Sequence, residues 1–377
     1  MTEQHVIDAL RTFDVDPVRG FLPAVDPETR LPAPFAPWEQ LAVDLPALLS
    51  TGVARDAVAG LPLLDADSLG STRSLQRAML LLSVFASASV FGGAEAEHRL
   101  PPNLCLPWKK VSGRLGRPMI IAHASIVLHN WRRLDMHGPI AADNLRALQC
   151  FRGGPDEEWF YLLTAEIEAT GAAAIPALAR LRCEADALTS NGIDEALEKI
   201  AATIDAMRAV LDRMEDRCRH AVFYHRIRPF LSGWPEPGVV YEGLEAEPLV
   251  LHGGSAAQSS LLNAFDAALD VPHEHPRTKP FLQAMRRYMP PRHRAFLEWL
   301  ESGTSLRDAV ADRPAGASRY DECIRQLVLF RKAHQEITIR YITGQAPPRS
   351  DAVGTGGTDY ADFLRRTRVE TDRRRLD

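Results

Sequence analysis

The chain has 377 residues, of which 46% are hydrophobic and 25% charged, so it reads as an enzyme-sized globular protein. That length exceeds the roughly 250–300 residues one hydrophobic core supports, and two domains or one large composite are expected. A net charge of −5 argues against a nucleic-acid partner, and five cysteines without CxxC spacing exclude a disulfide frame.

The first sixteen residues lack the apolar stretch of an export signal, and a cytoplasmic location is expected. Residues 1 to about 70 are proline-rich, with extended connectors at Gly20–Pro23 and Leu31–Pro34 and a helix over Trp38–Ser50. Thr72–Phe91 is a long apolar helix with Ser71 as its cap, stopped by Gly92-Gly93. The longest apolar segment, Ala78–Phe91, is interrupted by three serines and falls short of the roughly 18–20 residues that span a bilayer, so no membrane partner is expected. Met119–Trp131 is again apolar, and Arg132–Asp143 reads as loop.

Asp156 or Glu157 opens a helix with Phe160, Leu163 and Ile167 on one face, and Ala177–Leu188 is a second segment after Pro176. From Ile193, the residues Leu197, Ile200, Ile204, Met207, Leu211, Met214 and Cys218 follow a four-three alternation, the pattern of a core helix. This helix is expected to reach Arg228, before Pro229. Further helices are expected over Ser259–Leu269, Lys279–Met289 and Pro291–Ser302. Strand signals are nearly absent, and the fold class is all-α.

A helix from Arg319 to about Thr343, with Ser318 as its cap, buries Cys323, Leu327, Phe330, Ile337 and Tyr341. His334 fills the one gap in that apolar series. A core histidine satisfied by a carbonyl and an axial ligand to haem iron are both open readings of it. Asp351–Thr358 is a glycine loop, followed by an amphipathic helix with an arginine-rich end at 359–375.

Several motifs fail on inspection. His273-Glu274-His275 lies in a loop between prolines, without metal-site geometry. Cys218, His220 and His225 do not share a helix face. Gly354-Thr355-Gly356-Gly357-Thr358 lacks the preceding strand and the Gly-Lys of a phosphate loop. Gly253-Gly254-Ser255 lacks the G-x-S-x-G elbow.

Read as a set, however, the segments Phe230–Trp234, Val240–Gly243, Gly253–Ala256 with Gln258–Ser260, Met285–Pro291, Arg331 with His334, and Gly354–Asp359 resemble the indoleamine 2,3-dioxygenase family. Gly20-Phe21, Leu104–Trp108 and Asn130-Trp131 extend the match into the first half. The resemblance implies a small N-terminal helical domain (1–140) packed on a large C-terminal helical haem domain (141–377). It implies a haem enzyme (heme b iron, O2 as co-substrate) that opens the C2–C3 bond of the tryptophan indole to give N-formylkynurenine. An external reductant to keep the iron ferrous is a further possible partner.

Carried over residue by residue, His334 resembles the proximal iron ligand, with Arg331 and Asp266 as an ion pair on the haem side. Gly254, Ser255 and Ala256 resemble the loop beside haem and substrate, where small residues allow close approach. Arg228 resembles the clamp on the substrate carboxylate, its bland alternative being a helix-end arginine. Phe223 and Tyr224 match a distal aromatic pair, usually Phe-Phe, so Tyr224 is a departure. Thr355 fits the mobile loop that closes on the substrate. His123 stands where animal members commonly have Tyr, and Ser125-Ile126 replace Asp-Cys. Phe160 and Thr164 match the distal Phe and Ser, with Leu162 or Leu163 as alternatives. No residue is expected to act as acid or base.

Two other readings stand beside this one. One is a haem enzyme acting on a tryptophan derivative in a biosynthetic pathway, as in the chlorotryptophan rearrangement of pyrrolnitrin synthesis. The other is a non-catalytic haem sensor or carrier. Arg228 and the GTGGT loop favour the dioxygenase, and the 123–126 stretch keeps the first rival open.

Overall fold

The computed structural model describes residues 3–184, 190–244, 246–346, 354–355 and 359–377. The tail of the 177–188 segment and most of the 351–358 glycine loop lie outside these residues, with Gly354 and Thr355 inside them. The fold is all-α, as expected. Its extended pieces are short: Arg99–Leu100 runs parallel to Val240–Tyr241, and Trp131–Arg133 pairs antiparallel with Leu145–Ala147.

The Thr72–Phe91 helix is the axis of the N-terminal part. Ser71 Oγ accepts from the Ser74 amide at 3.0 Å, the expected cap. Helices Ala36–Thr51 and Pro102–Leu115 pack on it. Its only long charged side chain on a buried face, Arg77, meets the buried carboxylate of Glu39. By length and composition this helix and the stretch Pro155–Arg182 could each cross a membrane; 89% and 67% of their apolar windows are buried inside the fold.

In the C-terminal part, Ser190–Leu211 packs along Pro314–Thr338, with Leu197, Ile200, Ile204 and Met207 buried at the expected spacing. Each such side chain contributes about 1.5–3 kcal/mol of apolar burial. One buried cluster runs from Val6 to Tyr341, so the two parts share a continuous core.

Two boundaries differ from expectation. The four-three pattern continues to Cys218, yet the α-helix stops at Leu211 and tightens into a 3-10 turn over Asp212–Asp216. Just beyond, Asp156 takes the Arg219 amide at 2.8 Å and the Arg219 guanidinium at 2.7 and 2.9 Å, and Arg219 is extended. Met214 and Cys218 keep their burial beyond the end of the α-helix, the Cys218 amide still donating to the Met214 carbonyl at 3.2 Å. The His334 helix starts at Pro314 rather than after Ser318, because a proline at the first helical position needs no amide partner and presets φ.

Candidate functional site

A cavity of about 1530 Å³, its open mouth included, is walled mostly by the C-terminal part, with His123, Ile126 and Val127 from the N-terminal part completing it. Its walls are mostly apolar, with His334 and Arg228 among the few polar groups. Three π-helical turns among the described residues, Ala124–Leu128, Phe223–Ile227 and Ile339–Thr343, each put side chains on this wall. Such wide turns shift a helix face by one residue, and they concentrate at functional sites.

Phe330, His334, Ile337 and Tyr341 recur every three or four residues along one helix and all face the cavity. The apolar periodicity that marked His334 therefore reflects a cavity wall rather than solid core. Burial, and secondarily the nearby Arg331 charge, push the His334 imidazole down to about 4. The ring is neutral at pH 7, and among the described residues nothing hydrogen-bonds its nitrogens.

Arg331 and Asp266 stand off the cavity wall. Arg331 Nη2 donates to both Asp266 oxygens at 2.6 and 2.7 Å, tying the His334 helix to Ser260–Ala268. Burial raises the Asp266 pKa, but Arg331 and His273 outweigh it and hold the carboxyl below its ordinary value. His273, from the rejected His-Glu-His motif, bridges Asp266 at 3.2 Å and Glu370 at 3.0 Å.

Elsewhere on the wall, Phe160 and Phe223 stack obliquely with centroids 4.7 Å apart, and Phe223 meets the Tyr341 ring edge-on at 5.6 Å. Arg228 lines the cavity at the end of the second wide turn, where burial lowers its pKa from the ordinary arginine value. Tyr224 is off the wall and lies beneath the Arg228 guanidinium, 5.4 Å from it. Thr164 is on the wall, its hydroxyl donating to the Phe160 carbonyl at 2.7 Å. Leu162 and Leu163 point into the core.

The loop from Gly253 to Ser259 closes one end. Gly254, Ser255 and Ala256 all lie on the wall, and Ser255 caps the short 3-10 turn that follows it. Gln258 braces the loop: its Oε1 accepts the His123 amide at 3.0 Å and its Nε2 donates to the Gly253 carbonyl at 2.8 Å. A Cβ on Gly253 would sit 2.2 Å from the Leu231 carbonyl oxygen, so only glycine fits there. Thr355 docks on this loop. Its carbonyl accepts the amides of Gly233 and Gly253 at 3.1 and 3.2 Å, and its hydroxyl donates to the Gly254 carbonyl at 2.6 Å.

His123 is on the wall and buried, its Nε2 2.9 Å from Glu168 Oε1, which also accepts Ser259 Oγ at 2.7 Å. Sequence reasoning singled out His123 but missed Glu168, Ser259's bond to it, the Gln258 brace, and Tyr360 and Phe363 at the cavity rim. The Glu168 position was legible as a polar residue one turn beyond Thr164; its partner is 45 residues away, which spacing cannot reveal.

The donor set suits a haem and not a bare metal ion. A free ion needs about three or four protein ligands, and among the described residues no group of three His, Cys, Asp or Glu could hold one. A single neutral imidazole in a large apolar cavity is what an iron porphyrin requires.

A family model described as indoleamine 2,3-dioxygenase matches residues 9–374. Among curated relatives, indoleamine 2,3-dioxygenase 2 of Mus musculus is 35% identical over 387 residues, covering 96% of this chain and 94% of that one. Indoleamine 2,3-dioxygenase 1 of the same species is 34% identical, covering 92% and 91%. The Saccharomyces cerevisiae indoleamine 2,3-dioxygenase is 32% identical, covering 98% and 94%.

Proposed function

The chain belongs to the indoleamine 2,3-dioxygenase family and is therefore a haem-dependent dioxygenase that acts on indoles with O2; on that premise, we propose that it cleaves the C2–C3 bond of L-tryptophan to give N-formylkynurenine. One observation carries the reading: a neutral imidazole, His334, and a guanidinium, Arg228, line the same apolar cavity. The first suits an iron, the second an amino-acid carboxylate.

His334 would hold the haem iron, its helix fixed by the Arg331–Asp266 pair behind it. When bound, the haem supplies the activation of O2 for insertion across the indole double bond, and the protein supplies binding and orientation. Arg228 would clamp the carboxylate through a planar fork that Tyr224 supports from below. Phe160 and Phe223, with Ser255 and Ala256, would position the ring, and no side chain is assigned as acid or base. The small Gly254 and Ser255 would let the backbone approach both ring systems. Thr355, docked on that loop, would offer its oxygen to the substrate amine and shut water out. A cytoplasmic setting and an external reductant that keeps the iron ferrous belong to the same proposal.

The test is reconstitution with haem, reduction, and addition of L-tryptophan in air. Formylkynurenine absorbance should grow in proportion to enzyme. Haem-loaded protein that binds O2 but forms no such product would reject the substrate assignment.

A further inference from the structure

We propose that the Tyr360 hydroxyl, backed by Thr343, is the second half of the carboxylate clamp and selects indoles that carry a carboxylate over indoleamines that lack one. This rests on the tryptophan reading above and adds a specificity-determining residue to it.

The wall itself shows where a carboxylate goes. Among the described residues that line the cavity, Arg228 is the only lysine or arginine, so an anionic group is drawn to that end. The helix Tyr360–Asp372 brings a phenol there. Asp359 fixes its start, its carboxylate accepting the amides of Ala361 and Asp362, each at 3.1 Å. Tyr360 is thereby the first helical residue, and Phe363 and Leu364, three and four positions on, share its face; all three lie on the cavity wall. Phe363 meets the Phe281 ring edge-on with centroids 5.1 Å apart, which holds that face down.

Tyr360 is 6% exposed. Burial lowers the Arg228 pKa, and Tyr224 and Tyr360 oppose that through space, so the Tyr360 phenol lies within electrostatic reach of the guanidinium. Its oxygen is also 2.6 Å from Thr343 Oγ1, and Thr343 is itself off the wall. Two hydroxyls carry two hydrogens, and their mutual bond uses one. With Thr343 donating, the phenol hydrogen is left for a guest oxygen, and a hydroxyl that accepts one bond donates the next more strongly. That hydrogen suits an anionic acceptor. An ammonium group has only donors and is repelled by Arg228. An apolar side chain at 360 would wall the cavity equally well and supply no donor.

The experiment titrates the haem-loaded enzyme, reduced and free of O2, with L-tryptophan and with tryptamine or 3-methylindole, which keep the indole and lack the carboxylate. Binding is followed by the Soret band, and the quantity read is the ratio of the dissociation constant of the carboxylate-free ligand to that of tryptophan. Tyr360→Phe keeps the ring on the wall and removes the hydroxyl. It should weaken tryptophan binding about tenfold, the worth of a hydrogen bond to a charged group, leave the carboxylate-free ligands unchanged, and so cut the ratio about tenfold. Thr343→Val should cut the ratio about threefold and add nothing in the Tyr360→Phe background, because it acts through the phenol. A merely structural role for either side chain weakens all ligands alike and leaves the ratio where it was. A wild-type ratio of one, or a ratio unchanged in Tyr360→Phe, overturns the proposal while tryptophan binding stands. If Tyr360→Phe does not fold, an unchanged ratio in Thr343→Val overturns it. If tryptophan itself gives no spectral change in the wild type, the functional reading fails and takes this inference with it.

Discussion

Asp266→Asn keeps the size of the side chain and removes its charge, which makes it a clean probe of the pair behind His334. In the native protein Asp266 accepts from Arg331 at 2.6 and 2.7 Å and from His273 at 3.2 Å, with side chains 12%, 14% and 8% exposed. Removing one partner of a buried pair strands the other, at a cost of roughly 3–5 kcal/mol. Residual exposure puts this case at the low end, about 3 kcal/mol. An unfolding entropy of about 2.1 cal/mol/K per residue gives about 0.8 kcal/mol/K for 377 residues, so Tm should fall by about 4 °C. Calorimetry of the apo protein measures this. Adding Arg331→Gln to Asp266→Asn should cost little more, because the stranded charge is then gone. A drop below about 1 °C, or additive losses in the double variant, would refute the reasoning.

Three further outcomes follow from the same geometry. Gly253→Ala places a methyl group against backbone atoms of Leu231, Ser232 and Gly233 that no side-chain rotation can clear; urea melts should show a loss of about 3 kcal/mol, with weaker tryptophan binding. Thr355→Val keeps the shape and deletes the bond to the Gly254 carbonyl, so kcat/KM should fall about tenfold, the worth of one hydrogen bond. Burial, foremost, pushes His293 from 6.5 down to about 4. Between those values only the unfolded chain takes up the proton, so stability is full above pH 6.5 and is lost as pH falls toward 4. Near pH 5 the loss is about 2 kcal/mol relative to pH 7, and His293→Gln should remove that part of the slope in urea melts. Glu157, raised by burial despite three backbone amides and Tyr161, contributes with the opposite sign.

Local signals were legible where one segment decides its own conformation. Ser71 ahead of an apolar run gave the Thr72–Phe91 helix to the residue, and the gap at His334 in an otherwise apolar face marked the cavity. Legibility stopped where distant residues decide. Nothing near Leu211 announces that the α-helix ends there or that Asp156, from another helix, will bind an extended Arg219. The Ser318 cap lost to Pro314, four residues earlier, because both are valid starts and the proline presets φ at the first helical position. The His123–Glu168 pair and the Gln258 brace join segments separated by 45 and 135 residues, and only the folded chain brings them together. Phe223 and Tyr224 matched a pair of distal aromatics, but the wide turn that carries both puts one ring on the wall and the other beneath Arg228.

The most direct measurement is the ferric absorption and electron paramagnetic resonance spectrum of haem-loaded protein in which His334→Gly opens the ligand position, recorded with and without added imidazole. Histidine-type ligation should vanish in the variant and return when imidazole enters the cavity. A variant spectrum identical to that of the wild type, before any imidazole is added, would contradict the account.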